Sequence, residues 1–405
     1  GGQMGQRHFR ADCQKEASLS ATHYEVLVLG GGINGRCALF HLLERGVKRV
    51  GLIERFGLDH QRGSSHSHSR VTRSAYVNAS YVRLMQVAHG QEWPRLERAM
   101  GEQLIFPNAG CFFGPPGGRF EQYAEAVTQV GVDCDVLDLP EAQKRFPMFA
   151  FPTAMGAVHD RTAGVIAAQR TMSGLIRYAA DRGASLHTHT RVLDIDPGRV
   201  IRLHTKSQGE QGTFTCDRLI ITAGPWTMAL LPWLKPRLTV ARQTVGYFRL
   251  RGEPSDFGVG RWPVWGNLGA DHDVTYYGLP SFGRDGIKLA RHVTHEVDDD
   301  PDEVPDEIAA EAIADLRRYL EAEFIPPVEE FLGAEHCHYT NTATEDFIID
   351  LHPEDKRIAI GAGFSGHGFK FGPVTGRALA ELVCDGAVQT PEFSAMRPAF
   401  AIATQ

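Results

Sequence analysis

The chain has no apolar run approaching the 18 residues that a membrane-spanning helix needs, which excludes a spanning segment. It has no C-x-x-C pair, and its seven cysteines are scattered without paired spacing. Such an odd set reads as reduced intracellular thiols, not as a disulfide framework. A surplus of basic charge is missing too: 42 Lys and Arg stand against 49 Asp and Glu, a net charge of −7 that leaves no footprint for nucleic acid. The first 23 residues hold Arg7, His8, Arg10, Lys15 and Glu16 without an apolar stretch, which argues against a secretory signal. The final Ala403-Thr404-Gln405 is not a peroxisomal tripeptide, so a cytoplasmic protein is expected. Internal repeats and low-complexity tracts are absent. At 405 residues the chain exceeds what one core supports, and two domains are expected.

What is present begins at Tyr24 to Leu29, a short apolar strand. It runs into Gly30-Gly31-Gly32-Ile33-Asn34-Gly35 and a helix with Ile33, Cys37, Phe40 and Leu43 on one face. A second strand, Arg49 to Ile53, ends at Glu54, nineteen residues after Gly35. Gly30, Gly32 and Gly35 permit a tight turn and close approach to a pyrophosphate, and Glu54 can accept hydrogen bonds from ribose hydroxyls. FAD and NAD both fit this unit.

A second glycine-rich loop, Gly363-Phe364-Ser365-Gly366-His367-Gly368-Phe369-Lys370, lies between a strand at Arg357 to Ala362 and a helix from about Pro373. It presents backbone N–H groups, a helix N-terminus and one cation to something anionic. Leu219 to Ile221 is an apolar strand ending in Thr222-Ala223-Gly224-Pro225-Trp226. Short strands are expected within Gln103 to Met155, at Thr244 to Leu250 and at Val274 to Gly278, then a helix around Glu307 to Glu323 opened by a solvated acidic loop from Asp298. The polar stretch Gly63 to Tyr76 reads either as a solvated loop or as a ligand-facing one. His66 and His68 lack convergent partners for zinc, and no metal is expected.

Taken with Cys337-His338-Tyr339-Thr340 and with Glu345 to Pro353, the Gly363 to Lys370 loop resembles the monomeric sarcosine oxidase family. That family includes N-methyltryptophan oxidase, pipecolate oxidase and the fructosyl amine oxidases, all flavoenzymes. The resemblance runs from about Tyr24 to about Val383. It implies an α/β fold: a Rossmann-like FAD-binding domain, residues 24–102, 156–237 and 334–390, with an inserted α+β substrate domain on an antiparallel sheet, residues 103–155 and 238–333, behind a tail of residues 1–23.

The choice of FAD over NAD rests on this resemblance, which also places Trp226 on the flavin side. Arg73 and Lys370 would pair with a substrate carboxylate, while Arg70 and His66 would face the flavin. Lys288 would sit on the opposite flavin face and assist electron transfer to oxygen. His292, Tyr277 and Tyr339 match pocket residues near the substrate amine, although alone each reads as an ordinary core or surface residue. Cys337, alone a buried hydrophobe, matches the cysteine that attaches FAD covalently; His338 beside it departs from the methionine of sarcosine oxidase. The N–H groups of Gly368 and Phe369 would offset negative charge on the flavin as hydride arrives.

The implied activity is oxidation of a secondary amino acid, N-alkyl or cyclic, by FAD and molecular oxygen, giving an imine or its hydrolysis products and hydrogen peroxide. Alternatives are a fructosyl amino acid oxidase, an amino acid dehydrogenase with another acceptor, and a flavin-binding protein without turnover. The motifs divide on substrate. Gly63-Ser64-Ser65-His66 and Ala223 to Thr227 are more similar to pipecolate oxidase, and Arg242 to Phe248 to sarcosine oxidase.

Overall fold

A strand, a glycine turn, a helix and a second strand open the described chain, which in the computed structural model comprises residues 23–269, 275–292 and 300–404. β1 (His23–Leu29) leads through Gly30 into α1 (Ile33–Glu44), and β2 (Val50–Ile53) lies parallel beside β1 with Leu29 opposite Ile53. Aliphatic residues fill both strands on both faces, as a parallel sheet covered by helices requires. Glycine is obligatory at two points of the turn. Gly30 has a φ of +99° and a Cβ there would stand 2.1 Å from the Thr222 carbonyl oxygen, while a Cβ at Gly35 would stand 1.9 Å from that of Gly30.

β3 (Ser69–Thr72) pairs with Gly164–Ala167 in a three-stranded sheet. β4 (Glu210–Ile221) returns to β1 and runs parallel to it, with Ile221 opposite Leu29. Next come β5 (Thr239–Leu250), β6 (Thr275–Leu279), β7 (Ile287–His292), α2 (Ala310–Glu323) and β8 (Val328–Asn341). β9 (Ile358–Ala362) then joins β4 in parallel, with Ile360 opposite Ile221, and α3 (Gly372–Asp385) follows its loop. This register aligns the C-terminal ends of β1, β2, β4 and β9. The turns at Gly30, Glu54, Thr222 and Gly363 therefore open on one crevice, the place where open α/β sheets bind ligands.

The second large sheet has eight strands in the order β8, β5, β7, β6, Val264–Asn267, Gly110–Gly114, Gly156–Asp160, Cys134–Asp138. All its pairings are antiparallel except that of Val264–Asn267 with Gly110–Gly114. Gly156–Asp160 pairs here although the boundary read from sequence falls at residue 155, and β8 runs through the boundary at 334. Leu316 and Leu320 of α2 pack with Phe248 and Trp265 on one face of the sheet. Side chains alternate along a strand, so the opposite face carries Tyr247 of β5, Tyr277 of β6, Lys288 and His292 of β7, and Glu335, Cys337 and Tyr339 of β8. That face looks toward the crevice of the first sheet.

The helix expected from Glu307 begins at Ala310, and a 3-10 turn at Phe369–Phe371 precedes α3. Val274, Asp298 and the tail before His23 lie outside the described residues. Among those described, no helix is long and apolar enough to cross a membrane.

Candidate active site

Between the crevice and the inner face of the second sheet lies a cavity of about 1020 Å³. This is at the top of the range of about 300–1,000 Å³ usual for small-molecule sites. Gly30, Gly32, Glu54 and Trp226 line one end; Arg70, Arg73, Tyr277, Lys288, His292, Cys337, Tyr339 and Gly368 to Lys370 line the other. Gly35 is not on the wall. Its hydrogen faces the Gly30 carbonyl, so it serves the packing of the turn.

At the nucleotide end Glu54 is buried, and its two carboxylate oxygens accept from Gly31 N at 2.8 Å and Phe56 N at 2.9 Å. Burial pushes its pKa up, but the His60 ring and these two N–H groups outweigh it and hold the carboxyl below its ordinary value. An ionised carboxylate has about four lone-pair sites, so acceptor capacity is left for ribose hydroxyls. Trp226 is fixed by its Nε1, which donates to Asp302 at 2.9 Å, while Arg55 donates to the same carboxylate at 2.7 Å. The acidic loop thus docks on this end of the cavity.

His66 supplies the observation that tests the fit of a cofactor. Both its ring nitrogens are buried and neither has a hydrogen-bond partner among the protein groups. Burial, helped by the Arg70 charge, lowers its pKa to about 4, so the ring is neutral, with one donor and one acceptor left unmatched on a residue that borders the same cavity as the glycine turn and Glu54. Arg70 is held by carbonyls, Ser69 at 3.0 Å and Ser64 at 2.9 Å, and its guanidinium stands 5.4 Å from the Phe369 ring. These residues fit FAD, and the donor set suits its polar ring system and diphosphate.

On the sheet side, Lys288 Nζ donates to Ser67 Oγ at 3.0 Å and to the Ser69 carbonyl at 2.8 Å. It is 3% exposed, and burial together with the Arg70 charge brings its pKa down to about 7. Ser67 Oγ lies 3.0 Å from Tyr247 OH, which donates to Glu335 Oε1 at 2.7 Å. Tyr277 and Tyr339 share a hydrogen bond of 3.2 Å between their hydroxyls, and the His292 ring lies 5.2 Å from that of Tyr339. Burial raises both phenols, so they are neutral. Cys337 is buried between Glu335 and Tyr339 on the same face, and burial raises its thiol although Arg70 and Lys288 draw it back.

Arg73 and Lys370 come together over one ring. The Arg73 guanidinium lies 4.2 Å from the Tyr76 centroid and Lys370 Nζ 5.3 Å from it. Arg73 donates to the Ala75 carbonyl and to Tyr123 OH; Lys370 donates to the His367 carbonyl at 2.9 Å. Among the described residues neither cation has a carboxylate within ion-pair distance. Burial opposes the charge on Arg73, but the Tyr123 and Tyr76 phenols outweigh it. For Lys370 nothing does, and burial with the Arg73 charge pushes the ammonium well below its ordinary value.

Four residues of this site escaped the sequence reading. Tyr76 and Tyr123 pack on Arg73, and His367 Nδ1 lies 3.1 Å from Tyr76 OH, so the three frame the cation pair. Glu335 is the carboxylate behind Lys288. The spacing Glu335-x-Cys337-x-Tyr339 was its one available signal, since a strand there puts all three on one face.

Residues 25–382 match the FAD dependent oxidoreductase (DAO) family. The monomeric sarcosine oxidase of Bacillus sp. (strain B-0618) is 33% identical over 389 residues, 94% of this chain and 97% of that enzyme. The peroxisomal sarcosine oxidase of Homo sapiens is 34% identical over 368 residues, 89% of this chain and 92% of that enzyme. Among solved structures, the open form of NikD, an unusual amino acid oxidase essential for nikkomycin biosynthesis, matches with a TM-score of 0.79 at 20% identity, covering 94% of this chain and 97% of NikD. The last of these speaks to fold alone. The family match over nearly the whole described chain, the glycine turn with Glu54, and the shared length with the sarcosine oxidases lead to one conclusion: the chain belongs to the FAD-dependent oxidoreductase family, in the company of the monomeric sarcosine oxidases.

Proposed function

We propose that the protein is an oxidase of secondary amino acids, sarcosine-like or cyclic, that carries FAD bonded to Cys337. The observation that carries this reading is the pair of basic groups on the cavity wall, half-buried Arg73 and buried Lys370, with no carboxylate within ion-pair distance among the described residues. A buried charge is costly unless paired, so a site built this way is suited to a ligand that brings a carboxylate. The sarcosine oxidases, by name, act on such a compound.

FAD would be held by the Gly30 to Gly32 turn, Glu54 and Trp226, with the N–H groups of Gly368 and Phe369 toward its ring system; it supplies the hydride acceptor and the route of electrons to oxygen. The protein's own groups do the rest. Arg73 offers a planar fork and Lys370 a second cation, which together fix the substrate's α-carbon by its carboxylate. Tyr277, Tyr339 and His292 surround the amine. The two phenols are neutral and their shared hydrogen bond leaves one O–H to donate to an uncharged amine nitrogen, the form that can release hydride from the adjacent carbon. Lys288, on the sheet side, offers a buried positive charge where oxygen takes up electrons. The buried thiol of Cys337, on the same face, would be the group that carries the flavin as a thioether.

The test is anaerobic bleaching of the flavin absorbance of the purified holoprotein by sarcosine, N-methyltryptophan, pipecolate, proline and a fructosyl amino acid. Rapid bleaching by one of the secondary amino acids, with peroxide formed when air is admitted, is expected. Bleaching by none of them, or full bleaching without peroxide in air, overturns the reading.

A further inference from the structure

We propose that Glu335 is a positioning residue which, through Tyr247 and Ser67, holds Lys288 as an ammonium ion at the cavity wall. The inference rests on the reading of Lys288 as the oxygen-side cation, but its geometry stands apart from any substrate.

An ammonium group can only donate, so Ser67 Oγ accepts from Lys288 and its own hydrogen is free for Tyr247 OH. Tyr247 in turn must donate to the Glu335 carboxylate, which can only accept. Three hydrogen bonds of 3.0, 3.0 and 2.7 Å therefore run in one direction, from the cation to the anion. Such a chain is polarised along its length and is at its strongest when Lys288 is charged and Glu335 ionised. A neutral amine at one end, or a protonated acid at the other, removes that direction.

The surroundings of Lys288 need this support. Arg70 on β3 and Arg284 before β7 are like charges, and both lower its pKa; His66 is neutral. On the opposing side stand Glu335 and the thiol of Cys337, both on β8, and Glu335 is the one carboxylate among the groups acting on the lysine. Ser67, the first link from the lysine, has an uncommon backbone conformation. Its φ is +87°, outside the range a serine adopts at rest, and a conformation of that kind persists where surrounding contacts over-determine it. Glu335 also fits a blander role as a rim carboxylate bonded to a tyrosine. Its place on the cavity face, two residues from Cys337 and joined to Lys288 through Tyr247 and Ser67, is what that role leaves unexplained.

The experiment follows the charge on Lys288 itself. Holoprotein labelled with 13C at lysine Cε is titrated by NMR; the resonance missing from Lys288→Met belongs to Lys288. In Glu335→Gln its titration midpoint is expected to fall by about one pH unit or more, the size of shift a nearby opposite charge gives. Tyr247→Phe, which cuts the chain but keeps the ring, should lower it less, and Glu335→Asp should recover part of the loss. The pH profile of reoxidation by oxygen should move to lower pH with the midpoint. An unchanged midpoint in Glu335→Gln overturns the proposal, and if that variant does not fold, an unchanged midpoint in Tyr247→Phe does so. No substrate enters the titration, so failure of the amine panel above is told apart from failure here.

Discussion

Binding of a plain carboxylate, such as acetate or propionate, should draw a proton onto Lys370. In the free site the two cations lie over one ring at 4.2 and 5.3 Å from its centre, so they are no more than about 10 Å apart. At an effective dielectric near 20 their repulsion is then at least about 1.7 kcal/mol. Burial adds to it, and the ammonium loses its proton well below its ordinary value. A carboxylate about 4 Å from the nitrogen returns about 4 kcal/mol on the same scale, which exceeds the repulsion. The sign follows: the pKa is low in the free site and higher in the complex, so between the two values each binding event takes up a proton. Affinity is then greatest below the free-state pKa and declines as pH rises toward that of the complex.

Calorimetry of the holoprotein in two buffers of different ionisation enthalpy, at several pH values from 7 to 9, measures this directly. The dependence of the observed heat on buffer should give an uptake that rises toward one proton per site. In Lys370→Met the uptake should vanish and affinity should fall by about 30-fold or more, the loss of about 2 kcal/mol or more seen when one partner of a buried charge pair is removed. No uptake at any of these pH values in the parent protein, or undiminished affinity in the variant, refutes the reasoning.

Four other outcomes are expected. Lys288→Met should leave anaerobic reduction by substrate largely intact while slowing reoxidation by orders of magnitude; equal loss of both half-reactions would contradict the assigned division of labour. The same variant should be the more stable protein at acid and neutral pH: with a folded-state pKa of about 7 against an ordinary 10.5, the parent carries the whole cost of the buried charge below pH 7, at most about 5 kcal/mol, and sheds it toward pH 10, so the gap in melting temperature should narrow as pH rises. Cys337→Ser should release its flavin on denaturation in acid or detergent, whereas the parent chain should keep flavin fluorescence on a denaturing gel. Gly366→Ala should cost about 2–4 kcal/mol in denaturant unfolding, because the new Cβ would stand 2.3 Å from the Tyr339 ring at a residue whose φ is +76°.

The parts of the fold that were legible in sequence are those whose reasons are local. The first turn announces itself because Gly30 and Gly35 are sterically obligatory within six residues and are followed by a helix period. The loop before α3 is legible for the same reason. β8 is not: Glu335-His336-Cys337-His338 shows no apolar alternation, because the face that packs against α2 elsewhere in the sheet is here lined by histidines and the other face borders a cavity instead of a core. β5 likewise starts at Thr239, ahead of the expected Thr244, where Arg242 and Gln243 hide its period and pairing with β8 defines it. Without that register, Glu335 and Tyr247 are an ordinary acid and an ordinary aromatic. The cation pair was found by resemblance, but its frame of Tyr76, Tyr123 and His367 arises from contacts between residues far apart in sequence, which no local pattern encodes.

The sign of the charge in the cavity is opposite to that of the chain. The protein as a whole carries −7, yet its cavity wall presents Arg70, Arg73, Lys288 and Lys370, and among the described residues only Lys288 of these four has a carboxylate joined to it by hydrogen bonds, through two hydroxyls. Four basic groups close together, the two lysines buried and the two arginines half-buried, cost folding free energy, and a sequence under no other demand would have placed apolar residues there. The demand is met by what binds: a diphosphate and a substrate carboxylate are anionic, and each stabilises the folded state in proportion to its own binding. Glu335 has a different part: it borders the cavity and is joined to Lys288 through Tyr247 and Ser67. A counter-charge held at the far end of two hydroxyls keeps the ammonium charged and leaves its cavity side open.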